Sequence, residues 1–491
     1  MMKKRLRGIL CGLCIGSLLL SVPALALNVD ILSPTASAGQ NSISVSGEAD
    51  CAKVNVEIWN SDKILITTRE FSVSSGSFSG TVDTGSLPNG TYTVKYADLE
   101  GGPYTVRTVQ VSSSSTSPDT PVIEPRTEEI NPSATVDKET GIANAAVSEK
   151  DITNAVAAAK KNGSETIIIA PKVPDGTGGV SVSIPGVSAS LIGKEHKTIT
   201  VKTPAAQIII GSEGLSGLAK DTKGISVSAE MDGSGVIVIA IKADNKSVKQ
   251  VNGGIAAIVP IAKRNDTTVI ALVNKGGTEI VLPKSLMIEA GILVQIDGTA
   301  TIKVLDNKKF FDDVTDNSWV AGPVAFVSSR ELFNGTGNKT FSPEMGMTRG
   351  MLATVLHRLE LNPASDGMEV FGDVAPNSWY ADSVGWAASA GIVQGIGSGR
   401  FDGDREISRA ELVTILYRYA KYAGLDTNGS ADLNGFSDSE SIPSWATEAF
   451  AWAVSAEVIS GTDNGALLPT TDATRGQVAK VIMEMVKVLV Q

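Results

Sequence analysis

The sequence predicts a multidomain protein: an N-terminal all-β sandwich, a β-rich middle domain with one or two helices, and a C-terminal all-α region of three repeats. Three observations predict this order. Apolar and polar residues alternate with period two near the N-terminus, longer apolar runs follow in the middle, and a unit of about sixty residues recurs at the end. With 491 residues, of which 42% are hydrophobic, the chain is long enough to bury several cores.

The N-terminal segment has the pattern of a secretory signal peptide. Basic residues precede an apolar run from Ile9 to Leu20, and Ala24-Leu25-Ala26 offers small residues for cleavage after Ala26. A transmembrane anchor is the alternative, but the apolar run is short for a span. We therefore expect residues 1–26 to direct export, with no membrane span left after cleavage.

The cysteines give two further expectations. Cys11 and Cys14 lie near the beginning of the apolar run, whereas a lipid-modified cysteine would stand at its end. Cleavage would leave only Cys51, so we expect no disulfide within the chain.

The charge and the histidines limit the partners and the chemistry. The formal net charge is −11, which disfavours nucleic acid and requires local basic residues for any acidic ligand. Only His196 and His357 occur, in different regions, so there is no material for a His-based metal site or a Ser-His-Asp triad. We expect no cofactor, no metal and no catalytic residue, and a surface position for His357.

The N-terminal region predicts strands with one buried face. Residues 27–111 alternate apolar and polar positions in runs such as Val54 to Ile58, and turn sequences such as Pro88-Asn89-Gly90 separate the runs. This spacing predicts an immunoglobulin-like β-sandwich. Residues 112–139 are rich in Ser and Pro without periodic apolar positions, which predicts a linker.

The middle region, residues 140–305, predicts β structure with few helices. A helix is expected after Ser148, a capping residue, and before Gly163, which ends the apolar periodicity. Continuous apolar runs follow, such as Gln207 to Ile210 and Gly235 to Ile241, and they predict strands buried on both faces. No arrangement of residues here indicates a particular chemistry.

Three copies of one unit occupy residues 306–362, 368–425 and 432–491. Each copy predicts two helices joined by a Gly-rich loop, and the second helix begins at a Ser or Thr followed by Arg. Three markers recur in register at intervals of about 60 residues: Trp319, Trp379 and Trp445; Gly335, Gly395 and Gly461; Arg349, Arg409 and Arg475.

The second copy carries the fullest pattern, with Phe371-x-Asp373-Val, Trp379-Tyr380, Gly391-Ile-Val-x-Gly395 and Ile407-Ser-Arg-Ala-Glu411. This pattern resembles the S-layer homology repeat, and the resemblance extends from about Phe310 to the C-terminus. It implies a pseudo-threefold unit of three repeats that binds secondary cell-wall polysaccharide, commonly through a pyruvylated sugar, in grooves between neighbouring repeats.

The resemblance assigns binding of the acidic group to the three arginines and the shaping of the pockets to the three glycines. The residues support an anion site, because an Arg at a helix start places its guanidinium beside unpaired backbone N–H groups. The tryptophans offer a flat apolar face for a sugar ring. The alternatives are that each Arg pairs with a carboxylate of the repeat's own scaffold and that each Trp fills the core.

The copies differ at the start of the second helix. Glu411 completes a capping box in the second copy, whereas the third copy has Gln477 and the first has Met351, which cannot cap. We therefore predict that the second copy provides the best-formed pocket. On that basis Arg409→Ala should weaken wall binding more than Arg349→Ala.

These features predict an extracellular protein held noncovalently at the cell wall of a Gram-positive-type bacterium, with a structural or S-layer-type role. The expected partners are an acidic cell-wall polysaccharide and, in a surface layer, copies of the chain itself. Two alternatives stay open. One is a wall-anchored carbohydrate-active enzyme with its activity in residues 140–305, and the other is a protein adhesin.

Overall fold

The computed structural model describes residues 31–38, 42–49, 53–59, 65–74, 77–83, 90–98, 105–111 and 128–490, the last range without 175, 176, 262, 366–370 and 463. The predicted signal peptide, Cys51 and residues 112–127 of the predicted linker lie outside the described residues. The chain forms two compact units, one within residues 15–123 and one that contains residues 124–491.

The N-terminal unit is built from antiparallel strands in two sheets. The strands are β1 (Ile31–Ala38), β2 (Ser42–Ala49), β3 (Lys53–Trp59), β4 (Leu65–Ser72), β5 (Ser77–Asp83), β6 (Gly90–Asp98) and β7 (Thr105–Val111). Their orders are β1-β2-β5 and β4-β3-β6-β7. Period-two alternation buries Val54, Val56 and Ile58 of β3 in one core with residues of the other sheet. The expectation that this unit is an immunoglobulin-like sandwich stays a prediction.

In its described residues, the middle module combines strands with three helices. The strands are β8 (Glu128–Ile130), β9 (Ala134–Val136), β10 (Ile142–Ala146), β11 (Thr166–Ile169), β12 (Gly179–Pro185), β13 (Thr198–Lys202), β14 (Gln207–Ile210), β15 (Gly224–Met231), β16 (Val236–Ala243), β17 (Lys246–Ser247), β18 (Ile255–Val259), β19 (Thr268–Val273), β20 (Glu279–Val281), β21 (Leu286–Ile288), β22 (Gly291–Ile296) and β23 (Ala300–Asp306). The helices are α1 (Glu149–Asn162), α2 (Gly186–Lys194) and α3 (Ser212–Leu218).

These strands form two sheets. One has the order β20-β19-β23-β16-β15-β12-β10-β9, with β17 paired to β16, and the other has the order β21-β22-β18-β14-β13-β11-β8. Strands β8 and β9 fall within the range predicted as linker, yet they pair with β11 and β10. Short strands with few apolar residues show too little hydrophobic periodicity to be predicted from the sequence. The sheets of the middle module therefore begin before residue 140.

The helices of the middle module were predicted only in part. Helix α1 begins and ends as expected, with the Ser148 side chain accepting from the Asp151 N–H and Gly163 in the left-handed conformation. The expectation of one or two helices is wrong, because α2 and α3 are also present. Both contain glycines, which lower helix propensity, and tertiary packing outweighs that preference.

Burial on both faces holds for the sheet that contains β14 but not for β16. Ile208 and Ile210 pack in the core of the middle module, whereas Ile209 packs in a second core together with the helices of the repeats. Strand β16 alternates instead, and Val238 is 41% exposed. The prediction for Gly235 to Ile241 is therefore wrong, because nothing in the described part of the chain covers the second face of that strand.

The C-terminal region is helical. Its helices are α4 (Ala321–Ser329), α5 (Arg349–Leu359), α6 (Ala381–Ser389), α7 (Arg409–Tyr422), α8 (Thr447–Ser455) and α9 (Arg475–Val490), with a short 3-10 helix at Ser439–Ser441. The second helix of each repeat packs on the first helix of the following repeat: α5 on α6, α7 on α8 and α9 on α4. The three repeats are thus packed in a closed ring.

Candidate functional site

Three hydrogen bonds in a cycle lie at the centre of the repeats. The Met347 N–H donates to the Ala473 carbonyl over 2.9 Å, the Ala473 N–H to the Ile407 carbonyl over 2.9 Å, and the Ile407 N–H to the Met347 carbonyl over 2.8 Å. All three residues are fully buried. Each precedes the second helix of its repeat by two residues, so the cycle fixes the three helix starts relative to one another.

The backbone N–H groups at these helix starts are already paired. The N–H groups of Arg349 and Gly350 donate to the carbonyls of Arg405 and Gly403, over 3.1 and 2.8 Å. The first N–H groups of α7 and α9 donate equivalent bonds to carbonyls of the repeat that follows them in the ring. The premise of unpaired helix-start amides is therefore wrong, since carbonyl groups of the neighbouring repeat occupy them.

The three predicted arginines are buried and contact the loop of the neighbouring repeat. Arg475 donates from Nε to the Phe341 carbonyl over 3.0 Å and from Nη2 to the Asn334 carbonyl over 2.8 Å. Its guanidinium lies 4.7 Å from the centre of the Phe341 ring. Burial lowers the pKa of Arg475, and the charge of Asp313 opposes this shift. The arginine thus holds the first Gly-rich loop in place.

The other two arginines make the same type of contact, but Arg349 donates to more acceptors than Arg409 does. Arg349 donates to the carbonyls of Phe401 and Gln394, both over 2.9 Å, and its Nη1 lies 3.1 Å from Glu411 Oε1. Arg409 donates from Nε to the Leu467 carbonyl over 2.7 Å. A carboxylate partner, one of the two alternatives, is therefore found for Arg349, but it belongs to the next repeat in the ring.

An aspartate near the start of each repeat stabilises the segment that follows the Gly-rich loop. Asp373 accepts from the N–H groups of Phe401 and Asp402 over 2.8 and 2.9 Å, and Asp313 and Asp438 do the same in their repeats. Burial alone would raise the pKa of Asp373, but these hydrogen bonds outweigh it and lower the pKa. The sequence pattern of the second copy includes Asp373 but does not indicate this role.

The predicted glycines are required by close packing inside the loop. A Cβ on Gly335 would lie 2.7 Å from the Thr340 carbonyl oxygen and 3.0 Å from the Phe311 ring. Gly395 has the same surroundings in the second repeat, formed by Arg400 and Phe371. Larger residues at these positions would push the loop outward.

The three predicted tryptophans lie on the surface. Trp319, Trp379 and Trp445 are 56%, 60% and 58% exposed. The alternative in which they fill the core is therefore wrong. Each stands two residues before the first helix of its repeat, with its side chain outside the apolar face that this helix buries.

One groove brings together predicted site residues from all three repeats. It has a volume of about 400 Å³, and its lining includes Gly335 of the first repeat, Trp379 of the second and Arg475 of the third. Met351 and Arg358 complete much of its wall. Arg475 lines this groove, and its Nη1 makes no hydrogen bond to any described residue.

His357 is buried rather than on the surface, so that expectation is wrong. Its ring lies 5.2 Å from that of Trp386, and its Nε2 is 2.8 Å from the Pro363 carbonyl. It packs between α5 and α6, where the contact of the first repeat with the second covers it. In the described residues, no cluster of three His, Cys, Asp or Glu side chains could hold a metal ion. None of the helices in those residues has the length and apolarity needed to cross a membrane.

The three repeats match a known family. Residues 310–350, 370–413 and 435–479 match the S-layer homology domain. The chain is 25% identical over 300 residues to an amylopullulanase of Thermoanaerobacterium thermosulfurigenes, which covers 58% of this chain and 16% of the relative. It is 28% identical over 160 residues to the surface-layer 125 kDa protein of Lysinibacillus sphaericus, and this match covers 32% of this chain and 13% of the relative. The chain thus spans less than a fifth of the length of these relatives.

Similarity to solved structures is low. A β-glucuronidase of Parabacteroides merdae overlaps 29% of this chain and 21% of its own at 11% identity, with a TM-score of 0.17, too low to indicate a shared fold. S-layer homology domains anchor surface proteins to the cell wall. This chain is therefore an extracellular, cell-wall-associated surface protein that carries three S-layer homology domains.

Proposed function

We propose that the three repeats bind an acidic secondary cell-wall polysaccharide in three grooves and so anchor a structural or S-layer-type surface protein. The bound group is a carboxylate-bearing sugar, of which a pyruvylated sugar is the form that the S-layer homology repeat implies. The observation that carries the proposal is the groove in which Gly335, Trp379 and Arg475 meet. Its volume of about 400 Å³ lies in the range of small-molecule sites.

The ring arrangement supports two further grooves of the same composition. Arg349 contacts the Gln394 carbonyl, next to Gly395, as Arg475 contacts the Asn334 carbonyl, next to Gly335. We infer a pseudo-threefold relationship in which each groove takes one Gly, one Arg and one Trp from different repeats. The sets are Gly335, Arg475 and Trp379; Gly395, Arg349 and Trp445; and Gly461, Arg409 and Trp319.

Each component has a physical role in the proposed site. The exposed Trp ring offers an apolar face on which a pyranose can stack. A guanidinium N–H that has no protein acceptor can donate a charge-assisted hydrogen bond to a carboxylate. Because the guanidinium is buried and held by backbone carbonyls, little side-chain entropy is lost when the ligand binds.

The grooves are unequal in their capacity for an anion. Arg349 donates to Glu411, a carboxylate that it shares with Arg405, whereas Met351 and Gln477, the residues that correspond to Glu411, carry no charge. Among the described residues, no carboxylate pairs directly with Arg409 or Arg475, so their guanidiniums keep more donor capacity for an anionic ligand. This agrees with the expected importance of Arg409, but the reason is the partner of Arg349 rather than the quality of the cap.

A second candidate function is that of a wall-anchored carbohydrate-active enzyme. One observation favours it: the match to the amylopullulanase covers 300 residues and thus extends beyond the repeats at 310–479. Hydrolysis of wall or plant polysaccharides by the chain would support this function, whereas ordered arrays would support the structural one. Binding of a protein partner by the N-terminal part of the chain would support the adhesin alternative.

The test is co-sedimentation of the full chain with purified sacculi. We expect the chain to pellet with native sacculi and to stay in solution with sacculi whose polysaccharide has been chemically removed. Equal pelleting with both preparations would contradict the proposal and point to peptidoglycan as the ligand.

A further inference from the structure

We propose that the cleft between the middle module and the first repeat is a second binding site for the same anionic polysaccharide, continuous with the groove at Gly335. This inference rests on the proposed function, since it extends one of the three grooves. The cleft has a volume of about 820 Å³, about twice that of the groove. Its walls come from Ile280 to Pro283 of the middle module and from the first repeat and the segment before it.

The cleft and the groove share part of their lining. Phe333, Asn334, Gly335 and Arg358 border both spaces. A linear polymer seated in the groove can therefore continue into the cleft along the Gly335 loop. The middle module supplies this wall beside the first repeat.

The charge of the cleft differs from that of the whole chain. Its lining includes the cationic side chains of Lys308, Lys309, Lys339 and Arg358, against two acidic ones. The chain as a whole has a formal net charge of −11. A concentration of positive charge in a concave surface on an acidic protein favours an anionic ligand.

An exposed aromatic side chain lies among these cations. Phe310 is 74% exposed, and the ammonium group of Lys308 is 5.0 Å from the centre of its ring. An apolar ring beside a cation is the combination that suits an acidic sugar, which presents both C–H groups and a carboxylate. Arg330 also lines the cleft, but backbone carbonyls occupy its guanidinium.

The two walls are held rigidly. Arg330 donates from Nε and Nη2 to the Ser285 carbonyl over 3.0 and 2.9 Å, and from Nη1 to the Asp266 carbonyl over 2.9 Å. Lys284 of the middle module lies 2.7 Å from Glu360 of the first repeat. The cleft is therefore a preformed site, and a polymer that fills it does not have to order its walls.

The experiment measures binding of the full chain to the purified wall polysaccharide and to a fragment of one repeating unit. The test variant is Lys308→Ala with Lys309→Ala. The control is Lys246→Ala with Lys249→Ala, which removes the same charge from exposed positions elsewhere in the middle module. All four lysines are exposed, so we expect both variants to fold. Thermal melting of each variant verifies this.

We expect the test variant to bind the polymer about fivefold more weakly at low salt, because two cations are lost, and to show a weaker dependence on salt. Its affinity for the short fragment, which fills only a groove, should equal that of the unmodified chain. Polymer binding equal to that of the control would overturn the inference about the cleft. An equal loss for fragment and polymer would also overturn it, because the lysines would then act in the groove. Failure of the unmodified chain to bind either ligand would instead overturn the proposed function.

Discussion

Nη2 of Arg475 donates a hydrogen bond to the carbonyl oxygen of Asn334 over 2.8 Å, across 141 positions of the sequence. Arg475 opens the last helix, and Asn334 lies in the loop of the first repeat. This bond therefore joins the last repeat to the first. It also places the arginine of one repeat beside the glycine loop of another, which is the basis of the groove that we propose as the glycan site.

The exposed tryptophans should matter for binding and not for folding. Replacing Trp319, Trp379 and Trp445 together by Ala should raise the dissociation constant for sacculi at least about tenfold, because each groove loses its stacking face. Melting temperature should change little, since surface residues contribute little to stability. Met231→Ala, which removes an exposed apolar side chain from the middle module, is the control and should bind normally. Unchanged binding by the triple variant would exclude the tryptophans from the site.

Substitution by Lys should weaken glycan binding more at Arg409 than at Arg349. Arg409→Lys should weaken binding of the acidic glycan by about 1 kcal/mol, because a guanidinium donor is lost. Arg349→Lys should have a smaller effect on binding, since Arg349 already donates to the Glu411 carboxylate and to two carbonyls. Titration calorimetry of both variants measures the difference. Equal losses would contradict the order of the grooves, as would equal losses for the Ala variants in the sacculus assay.

Gly350→Ala should destabilise the protein although alanine favours helices. A Cβ on Gly350 would lie 2.7 Å from the Tyr380 ring of the next repeat, so the ring must shift, at a cost of about 1–3 kcal/mol. The matched control is Gly322→Ala in α4, where nothing lies within 4 Å and helix propensity should add about 0.5 kcal/mol. Denaturant unfolding measures both. A stabilised Gly350→Ala variant would show that the ring moves away freely.

Acid should weaken the contact between the first two repeats through Glu411. Burial alone would raise the pKa of Glu411, but hydrogen bonds from Arg405 and Ser408 and the charge of Arg349 lower it below its ordinary 4.5. The unfolded chain then binds more protons, so this contribution is present above pH 4.5 and is lost as pH falls through the lower folded pKa.

Glu411→Gln should therefore cost about 2 kcal/mol at pH 7 and progressively less below pH 4.5. Melting temperatures of both proteins between about pH 3 and about pH 7, a range that includes the ordinary pKa of a carboxyl group, measure the difference. A difference that stays constant across this range would show that the charge of Glu411 contributes nothing.

The middle module and the repeats should unfold together. Leu293 of β22 is 2% exposed and packs in the same core as the helices of the repeats, so Leu293→Ala should cost about 3 kcal/mol. Tryptophan fluorescence reports on the repeats, since only Trp59 lies outside them. Val238→Ala, at an exposed position of the same module, is the control. A melting curve of the repeats that Leu293→Ala leaves unchanged would show that the two parts unfold independently.

The sequence was sufficient for features that depend on neighbouring residues. The helix from Ser148 to Gly163 was predictable because its caps are local, and the strands of the N-terminal unit because alternation is local. The helix starts at Arg349, Arg409 and Arg475 were predictable for the same reason.

Features that depend on other repeats were not predictable. The pairing of the helix-start amides involves residues more than 50 positions away, and His357 is buried against Trp386, which belongs to the next repeat. The exposure of Trp379 could not be read from its own repeat, because it depends on which helix packs beside it. A helix start looks free when only its own segment is considered.

The most direct measurement is the number of short glycan fragments that one chain binds, determined by titration calorimetry. It is made on variants in which one groove or two grooves carry a substitution. Trp379→Ala should remove one site. Adding Arg475→Lys should remove no further site, because both residues belong to one groove, whereas adding Arg409→Lys should weaken a second. If Arg475→Lys weakened a second site in the Trp379→Ala background, the composite groove, and with it the proposed mode of wall binding, would be contradicted.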